Sequence, residues 1–268
     1  MNSKKNNIPS KGDSFNRIKS LFYLFRSVLV YIGTYCLLFL LLGQTSLAHA
    51  GGGMYLVAVS MFFSAILLLF TFPKGETNLL FKNLKTPGWY LFINVFLISV
   101  GLTILLNRLF TLIPWEVFEG EHVVQDSETL FSIPLIARIL IYGLIAPISE
   151  ELLFRGAIYA RLRKIMPPIA GVIISSLAFG IYHLNWMQGF YAFIMGSVMA
   201  ICFECFDCFA AAVIFHSVSN LLVVFAQYNP RLDVFFSSVP AMVLSAVMIL
   251  IGIMMLVYQN KKWNKCSK

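Results

Sequence analysis

Apolar residues in this chain come in long unbroken blocks, not in the two-residue or three-to-four-residue alternation of a water-soluble fold. A membrane-spanning helix needs about 20 mostly apolar residues. Eight stretches meet or approach that length: Leu21–Leu42, Gly53–Phe72, Trp89–Leu106, Ile133–Arg163, Ile169–Leu184, Met187–Phe203, Phe209–Ala226 and Val239–Tyr258. The fourth is overlong and charged in its second half, and the fifth and sixth are short and separated only by Asn185 and Trp186. The pattern predicts an all-α, polytopic membrane helix bundle of about eight transmembrane helices. A polar, basic segment (1–20) precedes one membrane-embedded domain (21–260), and a short basic tail (261–268) follows it. No internal repeat or low-complexity tract interrupts the domain. The first apolar run is too long for the core of a cleavable signal peptide and has the length of a span.

The polar positions between the blocks orient the bundle. Lys4, Lys5, Lys11, Arg17, Lys19 and Arg26 crowd the N-terminus, and Lys261, Lys262, Lys265 and Lys268 crowd the C-terminus. The loop around Gly43–Gly52 has no Lys or Arg, the next holds Lys74, Lys82 and Lys85, and the third holds Glu116, Glu119, Glu121, Asp126 and Glu128. Arg161, Arg163 and Lys164 follow the fourth block. This alternation obeys the positive-inside rule and predicts that both termini are cytoplasmic.

Composition sharpens the class. The 268 residues are 59% hydrophobic and 12% charged, with mean hydropathy +0.81, whereas a soluble domain carries about a quarter charged residues. The net charge of +8 sits beside hydrophobic spans, where it anchors a protein to anionic lipid. No separate basic domain is left to bind nucleic acid. Cys202, Cys205 and Cys208, read as thiols on successive helical turns, lack the fourth ligand of a tetrahedral site and are read as packing residues. The tail Cys266-Ser267-Lys268 is one residue short of a prenylation box, so the chain is not expected to be such a substrate itself.

Ionisable groups at membrane depth are costly and usually mark function. Glu150 and Glu151 lie just past the midpoint of the fourth block, after Pro147, whose missing N–H deletes the bond to the Gly143 carbonyl and loosens the helix. Glu151 and Arg155 share a helical face and pair. Glu150 points about 100° away and is left without a partner on its own helix, free to act as a general base. His49 and His122 fall in outside loops, whereas His183 and His216 sit in spans, with Asn220 one turn beyond His216. One carboxylate, two imidazoles and an amide on three helices suit water activation and oxyanion stabilisation. They suit zinc nearly as well, through Glu150, His183 and His216. Glu204 and Asp207, with no local partner, are read as interfacial.

Glu150-Glu151-x-x-x-Arg155, Phe179-x-x-x-His183 and His216-x-x-x-Asn220 resemble, in order, the motifs of the CAAX-protease and bacteriocin-processing (CPBP, Abi) family of intramembrane endopeptidases. The resemblance covers roughly 131–227 and includes the eight-span architecture. It implies that Glu150, assisted by His183, activates the attacking water. It further implies that His216 and Asn220 support the oxyanion and that Glu151 and Arg155 organise the site. No cofactor is expected, with a divalent metal such as zinc as the alternative. A zinc ion held by Glu150 would leave no free carboxylate as base, which favours the metal-free version.

The implied function is hydrolysis of a peptide bond in a peptide or membrane-anchored protein tail, by a multi-pass protein of a bacterial plasma membrane. Bacteria generally lack protein prenylation, so maturation of other peptides replaces CAAX cleavage as the expected task. Two other readings compete. One is a non-catalytic self-immunity or scaffolding protein that reuses the fold. The other is a small proton-coupled transporter, against which stands the absence of an inverted repeat or paired broken helices. The sequence carries no signal of oligomeric state.

Overall fold

The computed structural model describes residues 11–45, 52–73, 89–114 and 133–266, and all regular structure among them is helical. In chain order these helices are α1 (Lys11–Gly43), α2 (Gly53–Leu69), α3 (Trp89–Phe110), α4 (135–162), α5 (Pro168–Tyr182), α6 (Trp186–Phe206), α7 (Phe209–Tyr228), α8 (Pro230–Phe236) and α9 (Val239–Cys266). Each of the eight apolar blocks falls on one of them, and the short α8 is an addition that hydropathy did not signal. α1 begins at Lys11, so Arg17 and Lys19 ride on the helix ahead of its apolar run. His49, His122 and most of the charged residues of the second and third loops lie outside the described residues.

Among the described residues five helices are long and apolar enough to cross a membrane: those within Phe15–Gly43, Tyr90–Phe110, Trp186–Phe206, Phe209–Tyr228 and Val239–Tyr258. Gly53–Leu69 and Pro168–Tyr182 are apolar but shorter. The outward faces of α1 and α9 present Phe22, Phe25, Leu29, Leu40, Val243, Leu250 and Met254 unburied. A soluble monomer rarely exposes so much contiguous apolar surface, and a bilayer accommodates it. The chain is a polytopic helical membrane protein.

α4 is the central element, with α1, α2, α5 and α7 all packed against it. It is not a uniform α-helix. Leu135–Leu140 is α-helical, Ile141–Ile145 is a π turn, Ala146–Glu151 is α-helical again, and Leu152–Tyr159 is a second π stretch before Ala160–Leu162. Every residue of Leu152–Tyr159 is buried, as expected of a helix surrounded by others. π segments widen a helix, redirect its side chains and are frequent at functional sites.

Around this axis α3 packs along α9 and α7, α1 packs along α2, and α5 packs along α6. The α5–α6 crossing is close because a Cβ on Gly180 would come within 2.6 Å of the Gly189 carbonyl oxygen. Small residues permit such backbone approach where lipid offers no hydrophobic drive between helices.

Two sequence expectations need correcting. Cys208 is not a third turn of the helix that carries Cys202 and Cys205. α6 ends in a left-handed Asp207 (φ 45°), and Cys208 is the N-cap of α7. Cys202 and Cys208 are nevertheless buried, which suits packing. Glu204 and Asp207 do have partners, supplied from α4 across the fold. The Tyr159 hydroxyl donates to Glu204 (2.8 Å), and Arg163 reaches Glu204 (3.1 Å) and Asp207 (3.9 Å). Sequence spacing along one helix could not reveal pairs made across helices.

Candidate active site

The six motif residues come from three helices that meet around α4. Glu150, Glu151 and Arg155 are on α4, His183 is the C-cap of α5, and His216 and Asn220 are on α7. Glu150, Glu151, Arg155 and His216 are buried.

The predicted Glu151–Arg155 pair forms, with Arg155 Nη1 donating to Glu151 Oε1 at 2.9 Å and both side chains fully buried. The same carboxylate oxygen accepts from His216 Nδ1 at 2.9 Å. Arg155 Nη2 donates to the Gly196 carbonyl at 2.7 Å, and its guanidinium lies 4.8 Å from the centroid of Phe179. A Cβ on Gly196 would stand 2.9 Å from both Arg155 Nη2 and Phe179, so glycine leaves the room that this arginine occupies. The result is a charge-assisted chain running Gly196–Arg155–Glu151–His216, the kind of bonded arrangement that lets charges reside in a low-dielectric interior.

Glu150 points away from its neighbour, as helical geometry predicts, and meets the other edge of the same imidazole. His216 Nε2 lies 3.6 Å from Glu150 Oε2. One ring thus stands between two carboxylates, held by Glu151 and turned toward Glu150. Two carboxylates against Arg155 leave one negative charge.

His183 is oriented by its own helix. Its Nδ1 is 2.9 Å from the Phe179 carbonyl, an atom that only accepts, so Nδ1 carries the hydrogen and Nε2 is left as an acceptor. The His183 ring sits within electrostatic range of Glu150. Phe179 holds both imidazoles edge-on, with centroids 4.9 Å from His183 and 5.7 Å from His216. Leu184 follows in the left-handed region (φ 56°), a strained conformation for a leucine. It turns the chain sharply after His183 into the Asn185 cap of α6.

Asn220 Nδ2 donates to the carbonyl of Tyr142 at 3.0 Å, and α4 explains why that carbonyl is available. In the π turn the Ala146 N–H bonds to Ile141 O, and the next residue, Pro147, has no N–H. The carbonyl left without a helical donor is therefore that of Tyr142, one residue earlier than α-helical register predicts from Pro147. Asn220 satisfies it from α7. α7 is in turn tied to α3, where Ser99 Oγ donates to the Phe215 carbonyl and meets Ser219 Oγ, both at 2.9 Å.

Among the described residues no group of three or more His, Cys, Asp or Glu side chains has metal-holding geometry. Glu150, His183 and His216 are the residues that would hold a zinc ion if one binds, with Glu150 Oε2 3.6 Å from His216 Nε2. The structure adds residues absent from the sequence-based site: Gly196, Phe179 in a holding role, the Tyr142 carbonyl, and, within electrostatic range of Glu150, the phenols of Tyr31 and Tyr182. Gly196 is one glycine among 17, and a backbone carbonyl leaves no trace in composition. Tyr31 lies more than a hundred residues from the motifs.

Comparison with known proteins bears out the resemblance drawn from the three motifs. Residues 132–222 match the model of the type II CAAX prenyl endopeptidase Rce1-like family, a segment that holds all six motif positions. Over 177 residues the chain is 25% identical to the membrane-embedded CAAX protease MroQ of Staphylococcus aureus (strain USA300), covering 63% of this chain and 71% of that protein. No solved structure matches.

Proposed function

We propose that this chain, whose residues 132–222 carry the Rce1-like type II CAAX prenyl endopeptidase segment, is an intramembrane endopeptidase that hydrolyses a peptide bond with a Glu150-activated water. The observation that carries the reading is the single imidazole of His216, bonded to Glu151 at 2.9 Å and facing Glu150 at 3.6 Å. A purely structural ion pair needs no second carboxylate. A buried, otherwise unpaired one beside a polarised imidazole is what base catalysis requires.

The chemistry follows from the donor set. Glu150, assisted by the acceptor Nε2 of His183, takes a proton from water as its oxygen attacks the scissile carbonyl carbon. A C–O bond forms and the carbonyl electron pair moves onto oxygen. His216, and the second N–H of Asn220, stabilise that oxyanion. On collapse the C–N bond breaks and the amine leaves with the proton that Glu150 had taken. Glu151 and Arg155 hold His216 in place and do not exchange protons. Glu151 is bound through Oε1 into the Arg155–His216 chain and fully buried, so Glu150 is the carboxylate better placed to work on water.

The substrate we infer is a peptide or the tail of a membrane-anchored protein. The molecule would cross a plasma membrane eight times with both termini in the cytoplasm: five long helices, two shorter ones and the π-interrupted α4. The test is cleavage of a quenched-fluorescent peptide pool by purified protein, with and without a strong chelator. Wild type cleaves irrespective of chelator, and Glu150→Ala, His183→Ala and His216→Ala do not. Cleavage retained in Glu150→Ala overturns the mechanism, and loss on chelation replaces it with a metal-dependent one.

A further inference from the structure

Glu150 has polar neighbours that no motif predicts. Tyr31 and Tyr35 on α1 and Tyr182 on α5 all lie within electrostatic range of it, and α1 lies wholly outside the family-matched segment. Tyr31 is completely buried, and its hydroxyl has no hydrogen-bond partner of normal geometry among the described residues. A buried polar atom left in that state is uncommon and calls for an explanation. The phenol of Tyr182 stands close enough for the two hydroxyls to couple. Tyr182 itself is half-buried. Its ring is fixed edge-on by Phe154 (centroids 5.4 Å apart) and His183 (5.8 Å).

An inventory of donors shows what these phenols are for. Hydrolysis creates a negative oxygen that needs hydrogen-bond donors aimed at it. Arg155 spends Nη1 on Glu151 and Nη2 on Gly196. His183 spends its N–H on the Phe179 carbonyl, and His216 spends one on Glu151. Asn220 commits one N–H to the Tyr142 carbonyl. Beside the second N–H of Asn220, Arg155 Nε and the Tyr31 hydroxyl are left without a hydrogen-bond partner among the described residues, and Tyr31 is coupled to the Tyr182 phenol.

We propose that Tyr182 is a further catalytic residue whose hydroxyl donates to the oxyanion, and that Tyr31, from the first span, is the positioning residue that holds it. The assignment rests on the endopeptidase reading above. As the scissile carbonyl oxygen gains its electron pair, the Tyr182 O–H···O contact tightens while the proton stays on the phenol. No bond to Tyr182 forms or breaks. Tyr31 acts by standing against the Tyr182 hydroxyl, to which it is coupled, and fixing its rotation. The first span thereby becomes part of the site.

The experiment measures kcat and KM on a quenched-fluorescent peptide pool, with melting temperatures taken in parallel. It uses the purified full chain as wild type, Tyr31→Phe, Tyr182→Phe, their double variant and Glu150→Ala. Tyr228→Phe, at an exposed phenol, is the control and behaves as wild type. Tyr182→Phe lowers kcat by about 100-fold with KM little changed, Tyr31→Phe lowers it by about 10-fold, and the double variant is no slower than Tyr182→Phe alone. Full kcat in Tyr182→Phe, or losses that multiply in the double variant and track the melting temperatures, overturns the assignment. If Tyr182→Phe does not fold, 3-fluorotyrosine at position 182 keeps shape and changes donor strength. An altered kcat at unchanged KM and melting temperature then supports the role, and an unaltered kcat overturns it. Cleavage lost in Glu150→Ala but kept in Tyr182→Phe overturns this assignment alone. No cleavage by wild type overturns the endopeptidase reading and this assignment with it.

Discussion

Glu151 Oε1 accepts from both Arg155 and His216 at 2.9 Å, so one oxygen fixes a cation and an imidazole together. Glu151→Gln keeps the shape and removes the charge, leaving Arg155 buried with only a carbonyl and an aromatic face. Breaking a buried pair in this one-sided way costs about 3–5 kcal/mol, read as a lower melting temperature in detergent. Adding Arg155→Met recovers part of that loss, because no unpaired charge remains. Gly196→Val is expected to behave differently. Its side chain would intrude where Arg155 Nη2 and Phe179 sit 2.9 Å from a Cβ, so peptide cleavage falls through displacement of Arg155. Gly33, whose Cβ would meet nothing within 4 Å, is the matched control and tolerates Gly33→Ala. At this scale the sequence was most legible where partners share a helix. The four-residue spacing sufficed for Glu151 and Arg155, whereas Glu204, Asp207 and Tyr31 needed helices from distant parts of the chain to meet.

The element that decides the site is α4, with a π turn on each side of the glutamates. Pro147 announced a disturbance but not its form, because hydropathy and helical periodicity do not distinguish a kink from an inserted π turn. Asn220 closes the disturbance by donating to Tyr142 O. Asn220→Ala therefore leaves a partly buried carbonyl unpaired and costs about 1 kcal/mol, the low end for an unsatisfied group. Pro147→Ala restores an N–H at the one position that could replace Asn220. The thermal-stability loss of Asn220→Ala is accordingly smaller in a Pro147→Ala background, and equal losses in both backgrounds would refute this account of the π turn. The helices themselves were readable from the apolar blocks, with most ends displaced by a few residues; the polar ends of α1 and α9 extend further, to Lys11 and Cys266. What could not be read was the interruption of α4, since a π turn changes neither the composition nor the hydropathy of the stretch that holds it.

For the whole molecule, a polytopic helical membrane protein is the arrangement that gives so apolar a chain a compatible solvent. The basic ends and acidic third loop predict eight crossings. Reporters fused to each terminus should both report the cytoplasm, and one placed between Trp115 and Pro134 should report the opposite side. A result with the termini on opposite sides would demand an odd number of spans and a new assignment for α2 or α5. The architecture draws three distant stretches of chain onto one buried imidazole, and the account stands or falls on what the free carboxylate beside it does. The most direct measurement is peptide-pool cleavage by purified Glu150→Gln, which keeps the side chain's size, alongside wild type of matched melting temperature. The account predicts a folded protein whose cleavage rate falls by about 10²–10⁴-fold, the usual contribution of a general base. Cleavage by folded Glu150→Gln at the wild-type rate would contradict it.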